Sequence, residues 1–205
     1  MAQTSTGIEN SDKELVRKIL SGDNNAFAAL IKSNQRLVFS ITARMLNNPS
    51  DNDDICQDIF IKALTNISKF KFESKLSTWI ARIAYTTCSN HVQKKKIGLL
   101  DDIVTRNDED HEGESFSNRI PDDTGEMPDE SLFVKEIKTR LDGEINLLPP
   151  LLKTILVLYH QEELSYAEIA SIMGLPVGTV KSYLFRGRRL LRDRLINKIK
   201  QEDFL

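Results

Sequence analysis

The apolar residues of this chain recur at three- and four-residue spacing almost wherever they occur, and no stretch of useful length alternates apolar with polar. That spacing lines one face of an α-helix, whereas a half-buried strand needs a period of two. Leu15, Val16, Ile19 and Leu20, then Ala26, Phe27, Leu30 and Ile31, then Leu37, Val38, Ile41 and Met45 predict successive helices through the first 48 residues. Asn47-Asn48-Pro49-Ser50 reads as a turn, because proline blocks helix continuation and asparagine bonds locally to backbone. Asp51 is then placed to cap a helix carrying Ile55, Ile59, Ala63 and Ile67. A mixed aromatic and basic stretch, Lys69 to Leu76, interrupts the pattern. Ser77 or Thr78 is placed to start the next helix, with Trp79, Ile80, Ile83 and Ala84 on its buried stripe. Lys94, Lys95 and Lys96 sit at its C-terminal end, where cations suit the helix dipole.

The periodicity then fails. From Asp101 to Glu136 there are 13 acidic and 3 basic residues, a charge of −10 within a chain whose net charge is −2. With Gly113, Pro121, Gly125 and Pro128 and few apolar residues, this segment buries too little surface to offset its ordering entropy, and it reads as a flexible acidic linker. Helical spacing resumes at Leu132, Phe133, Ile137 and Leu141, and again at Leu148, Leu151, Leu152, Ile155, Leu156 and Tyr159. The expected fold is all-α: two small helical domains, residues 12–97 and 137–198, joined by a linker at 98–136. A length of 205 residues suits that division.

The same residues exclude several classes. The first ten residues are polar, and the greasiest stretch, Leu147 to Tyr159, is short and broken by Pro149, Pro150 and Lys153, so secretion and membrane anchoring are not expected and a cytoplasmic place is. Cys56 and Cys88 lack any Cys-x-x-Cys spacing or nearby His, so neither a disulfide framework nor a metal site is expected.

Ser165-Tyr166-Ala167-Glu168 has the form of a capping box, in which each side chain satisfies a backbone N–H left open at a helix start. The short helix predicted from Tyr166 to Met173 ends at Gly174, which supplies a left-handed residue. Pro176 bars continuation, and Val177-Gly178-Thr179-Val180 opens another helix. Ala170 is small where two helices cross, and Val180 turns back to the core. These are the steric needs of a helix-turn-helix, whose second helix enters the DNA major groove by its N-terminal part. On that helix Lys181, Ser182, Phe185, Arg186 and Arg189 share the outward face, whereas Val180, Tyr183 or Leu184, Leu190 and Leu191 face inward. Gly174 to Lys198 carries seven basic residues against Asp193, a charge of +6 suited to a polyanion. The plainer reading of that charge is a helical hairpin with a solvated basic face.

Asp51-Asn52-Asp53-Asp54-Ile55-Cys56-Gln57-Asp58-Ile59-Phe60-Ile61-Lys62-Ala63, then Phe70 and Ser77-Thr78-Trp79-Ile80-Ala81-Arg82-Ile83-Ala84, precede Gly178-Thr179-Val180-Lys181-Ser182. In that order the two motifs closely resemble bacterial RNA polymerase sigma factors of the extracytoplasmic-function group, in the sigma-70 family. The resemblance covers about Asp12 to Lys96, as the sigma-2 domain, and about Leu141 to Leu195, as the sigma-4 domain. The family's usual Gln-Glu pair is Gln57-Asp58 here, and Tyr183 stands where many relatives carry a basic residue.

The resemblance implies a protein without an active site, cofactor or small-molecule substrate, which binds core RNA polymerase and directs it to promoter DNA. It assigns Asp54, Gln57, Asp58 and Ile61 to the clamp helices of the β′ subunit, and an acidic and amide row beside apolar groups suits a basic helical partner. Between Phe70 and Trp79, Lys71 and Lys75 offer charge to phosphate, Phe70 and Phe72 offer aromatic faces, and Ser74, Ser77 and Thr78 are short and polar, the ingredients of a single-strand pocket. By resemblance this loop, with Arg82, Thr86 and Asn90 on the following helix, captures a flipped base of the minus-ten element. Phe70 and Trp79 fit core-anchor positions as well. Thr179, Lys181, Ser182, Phe185, Arg186 and Arg189 would read the minus-thirty-five element, while Arg188, Arg192 and Arg194 suit phosphate, the polymerase β flap or an exposed face. The linker would run through the polymerase interior, and an anti-sigma factor is a further partner the family implies. On the residues alone, a stand-alone helix-turn-helix regulator and a nucleic-acid enzyme working through the acidic run stay open.

Overall fold

A computed structural model of the chain describes residues 3–46, 48, 50–103 and 132–202. Among them every regular element is helical: α1 (Gln3–Leu20), α2 (Asn24–Met45), α3 (Ser50–Asn66), a 3-10 turn (Ile67–Lys69), α4 (Leu76–Ile103), α5 (Leu132–Asn146), α6 (Pro150–His160), α7 (Tyr166–Met173) and α8 (Val177–Glu202). Most of the expected acidic linker, residues 104–131, lies outside the described residues, as do the side chains of Lys95 and Lys96. The helix expected to finish near Lys96 continues to Ile103.

Local chemistry sets the first boundaries. Gly22, at φ +87°, makes the left-handed turn after α1, and the Asp23 carboxylate then accepts the Asn25 and Ala26 N–H groups at 2.8 and 3.3 Å to start α2. α3 starts one residue before the expected cap. Asn48, not Asp51, receives the Ser50 N–H at 3.3 Å, and the Asn48 side-chain amide donates to Asp51 at 3.1 Å. α4 likewise begins at Leu76, ahead of Ser77 and Thr78, because Asp12 of α1 accepts the Leu76 N–H at 2.9 Å. A carboxylate 64 residues away therefore does the work expected of a local hydroxyl.

In the first unit α2, α3 and α4 pack on one another around Val38, Ile41, Ile59, Ala63, Ile80, Ala81 and Ala84, all excluded from water. In the second, Ile155, Leu156 and Leu158 of α6 meet Ile169, Ile172 and Met173 of α7 and Val180 and Leu184 of α8. Gly187 lets α8 approach α6 closely, since a Cβ there would lie 3.1 Å from Leu156 Cδ1. Leu190, expected inward, is 39% exposed, because the inward face of α8 runs through Val180, Leu184, Gly187 and Leu191 and leaves Leu190 beside it. The two units also touch: α6 lies on α2 and α7 on α4, and their buried residues join in one core. No described helix is long and apolar enough to cross a membrane.

Candidate nucleic-acid interface

The helix-turn-helix is built as its residues require. The Ser165 hydroxyl accepts the Glu168 N–H at 3.3 Å, and the Glu168 carboxylate accepts the Ser165 N–H at 2.9 Å, so both halves of the capping box are made. Gly174 stands at φ +66°, and its own N–H and that of Leu175 return to the Ala170 carbonyl, which closes α7. The Pro176 carbonyl then accepts the Thr179 and Val180 N–H groups and opens α8. Val180 and Leu184 are sealed in the core, so the opposite face of the first two turns points to water. Lys181, Ser182, Phe185, Arg186 and Arg189 are all exposed there, Thr179 is half-buried, and Phe185 leaves 68% of its surface in water. The Ser182 hydroxyl donates to the Gly178 carbonyl at 3.0 Å, which leaves its oxygen free to accept.

The basic segment divides in two. Arg188 donates to His160 Nε2 at 3.2 Å and lies 5.1 Å from the Tyr159 ring centre; burial, with Arg188 nearby, holds that imidazole below its ordinary pKa and suits it to accept. Arg194 and Lys198 reach Glu144 of α5 at 3.0 and 3.1 Å. Arg192 and Arg189 share Asp193. Several of the cations that gave the segment its charge are thus bound within the protein, and Lys181 and Arg186 nearer the start of α8 are exposed, 5.6 Å and 6.0 Å from the ring centres of Tyr166 and Tyr183.

The loop before α4 separates its members. Phe70 is buried, Thr78 is 2% exposed, and Trp79 is half-buried, with the Phe70 ring 5.4 Å from Trp79 and 4.7 Å from Phe72. These side chains form the wall, and Phe72 completes it at a φ of +59°, a conformation uncommon for an aromatic residue. Lys71, Ser74 and Lys75 are exposed on the rim, and Ser77 is half-buried beside them. Lys75 is already occupied, with its ammonium 2.8 Å from Glu168 of α7. Along α4, Arg82, Thr86 and Asn90 are exposed at four-residue steps and form one continuous stripe leading from the loop.

On α3, Ile55, Ile59 and Ala63 fill the core, and the opposite side carries Asp54, Gln57, Asp58 and Ile61, all exposed. Ile61 leaves 60% of its surface in water and Leu64, one turn on, 40%. Leu64 was not among the expected contacts, although its position seven after Gln57 and three after Ile61 marks the same face. Among the described residues no three His, Cys, Asp or Glu side chains are grouped to hold a metal ion.

Residues 30–97 match the family model of sigma-70 region 2, and residues 138–191 match that of sigma-70 region 4. The extracytoplasmic-function sigma factor SigW of Bacillus subtilis is 33% identical over 89% of this chain and 96% of its own length. The chain belongs to the extracytoplasmic-function group of RNA polymerase sigma factors. It directs RNA polymerase to promoters for transcription initiation and is not an enzyme, which sets aside the reading of the α3 carboxylates as catalytic. The match to region 2 also sets aside the stand-alone regulator. Similar in the same way are the sigma-H factor of Pseudomonas aeruginosa, 32% identical over 95% of this chain and 98% of its own, and the sigma-E factor of Haemophilus influenzae, 34% identical over 90% and 95%. Among solved structures the sigma factor shares its fold with RpoE from Bartonella quintana in complex with the anti-sigma factor NepR (TM-score 0.64, 19% identity, 82% of this chain and 96% of that one). It shares it also with CnrH bound to the cytosolic domain of CnrY (TM-score 0.60, 18% identity, 91% and 97%).

Proposed function

We propose that the sigma factor divides its task among three surfaces. The exposed row Asp54, Gln57, Asp58 and Ile61 of α3 docks on the β′ clamp helices of core polymerase. The observation that carries this reading is Ile61: a large aliphatic side chain kept 60% in water within an acidic row offers a partner both apolar area and charge complementarity. Leu64 extends the apolar part of that surface.

The loop from Phe70 to Trp79 and the α4 stripe of Arg82, Thr86 and Asn90 hold the opened minus-ten strand. Without nucleotide chemistry, a protein promotes opening only by binding the opened strand better than the duplex. The rim of Lys71, Ser74 and Lys75 meets backbone there, while Phe70, Thr78 and Trp79 set the shape of the wall. The start of α8 reads the minus-thirty-five element: Lys181, Arg186 and Arg189 supply donors to guanine edges or phosphate, Thr179 and Ser182 short polar contacts, and Phe185 an apolar touch to a thymine methyl. The β flap of polymerase and an anti-sigma factor complete the set of partners; RpoE, of the same fold, was solved with the anti-sigma factor NepR.

The test is core polymerase binding by the full chain with Asp58→Lys and Ile61→Ala. Both side chains are exposed, so folding stability should change by less than about 0.5 kcal/mol. Core affinity should fall about tenfold or more for each. Unchanged affinity for both would remove α3 as the docking surface.

A further inference from the structure

The three cations on the outward face at the start of α8 are held in three different ways. Lys181 lies over the Tyr166 ring of α7, 5.6 Å from its centre, and Arg189 lies 3.9 Å from the Asp193 carboxylate. Arg186 leans on neither another helix nor a carboxylate. Among the described residues it forms no ion pair, and its guanidinium stands 6.0 Å from the ring centre of Tyr183, one turn earlier on the same helix.

Helix geometry and core packing together bring that pair about. Val180 and Leu184 are sealed in the core, and Tyr183, next to Leu184, is half-buried and packed against it, so its ring is fixed in place. A long side chain on a helix leans back over the turn before its own Cα, which carries Arg186 towards residues 182 and 183. Ser182 is short, and its hydroxyl is turned to the Gly178 carbonyl at 3.0 Å. The Tyr183 ring is the surface left for the guanidinium. Such anchoring matters because of what a guanine contact demands. Bidentate donation to O6 and N7 uses two N–H groups in one plane, and a side chain that must first be ordered from many rotamers loses affinity in doing so. A ring over one face restrains the guanidinium plane and leaves its N–H edge free to donate. Tyr183 does this without bringing a charge of its own to the phosphates.

We propose that Tyr183 is a positioning residue for promoter specificity: its packed ring holds Arg186 ready to read one base pair of the minus-thirty-five element. The inference rests on the assignment of the start of α8 to that element made above. Tyr183 acts through Arg186 and not on the DNA, so loss of the ring loosens discrimination at the base pair Arg186 reads and leaves the other positions as they are.

Holoenzyme assembled from core polymerase and the full chain tests this on a promoter that it transcribes, alongside duplexes in which each base pair of the upstream element is replaced in turn. The readout is the ratio of affinities for the parent and the replaced promoter, in which differences in folded or assembled fraction cancel. Tyr183→Leu keeps an apolar side chain in the half-buried site but removes the aromatic face, and should lower the ratio about two- to fivefold at one position only. Tyr183→Phe keeps the face and should keep the parent ratio. In an Arg186→Ala background Tyr183→Leu should have no further effect. A ratio unchanged by Tyr183→Leu, a loss that Tyr183→Phe shares, or a loss that persists without Arg186 overturns the positioning role. So does an Arg186→Ala chain that binds every promoter more weakly by one factor and with lower salt dependence, since Arg186 then serves a phosphate. A triple variant, Lys181→Ala with Arg186→Ala and Arg189→Ala, that keeps the parent ratio at every position overturns instead the assignment of α8 to that element, so the two failures are distinguishable.

Discussion

Glu144→Gln isolates one contact that holds the DNA-reading helix in place. The Glu144 side chain is 8% exposed and accepts from Arg194 at 3.0 Å and Lys198 at 3.1 Å, which ties α5 to the later turns of α8. A charge-assisted hydrogen bond in a desolvated site contributes about 1.5–3 kcal/mol, but the two cations are 37% and 48% exposed, so solvent screening discounts each to about 0.5–1 kcal/mol. The glutamine keeps the shape and loses the charge, for an expected loss of about 1–2 kcal/mol. The Lys198 hydrogen bond, aided by Arg194 and opposed by burial, holds the Glu144 carboxyl below its ordinary value of 4.5. The folded state therefore favours the ionised form. Its contribution is full above pH 4.5, the ordinary value, and is lost as pH falls through the lower folded one. Urea unfolding of both chains at neutral pH and through the acid range measures this, and the gap between them should close on acidification. A Gln variant within about 0.3 kcal/mol of the parent at neutral pH, or a gap that does not change with pH, would refute the reasoning.

Two further outcomes follow from the proposed surfaces. Arg186→Ala should cost about 1–3 kcal/mol of binding to a minus-thirty-five duplex if it reads a base, with relaxed specificity at one position, whereas loss of a phosphate contact should instead lower the salt dependence by about one unit, as a titration at several salt concentrations will show. Phe70→Ala should cost about 3–5 kcal/mol of stability as a buried ring is lost, while Lys71→Ala on the same loop should leave the melting curve in place and weaken single-strand binding.

What could be read from the sequence was what is encoded locally. The capping box at Ser165 and Glu168, the left-handed Gly174 and the buried Val180 lie within 16 residues of one another, and each meets a need of its own turn. The exposed row on α3 was legible for the same reason, since a helix with Ile55, Ile59 and Ala63 inward must carry Asp54, Gln57, Asp58 and Ile61 outward. Partnerships across the chain left no such trace. Asp12 caps α4 from α1, Glu144 recruits Arg194 and Lys198, and Arg188 pairs with His160. Nothing in the spacing of these residues distinguishes them from solvated charges. Gly187 has no local reason to be glycine, because its need is set by Leu156 on another helix. The docking of the two units was invisible too: it joins their buried residues in one core and sets Arg36, Arg44 and Lys75 against residues far along the chain.

The central claim is that this chain gives core RNA polymerase its choice of promoter through two DNA-reading surfaces. Run-off transcription with purified core polymerase and a pooled promoter library, with start sites read at single-base resolution, tests it most directly. The account predicts transcripts that depend on the chain and share two spaced upstream elements, the more distant lost with Arg186→Ala and the nearer with Lys71→Ala. Chain-dependent transcripts without two shared elements, or core polymerase that the chain neither binds nor redirects, would contradict it.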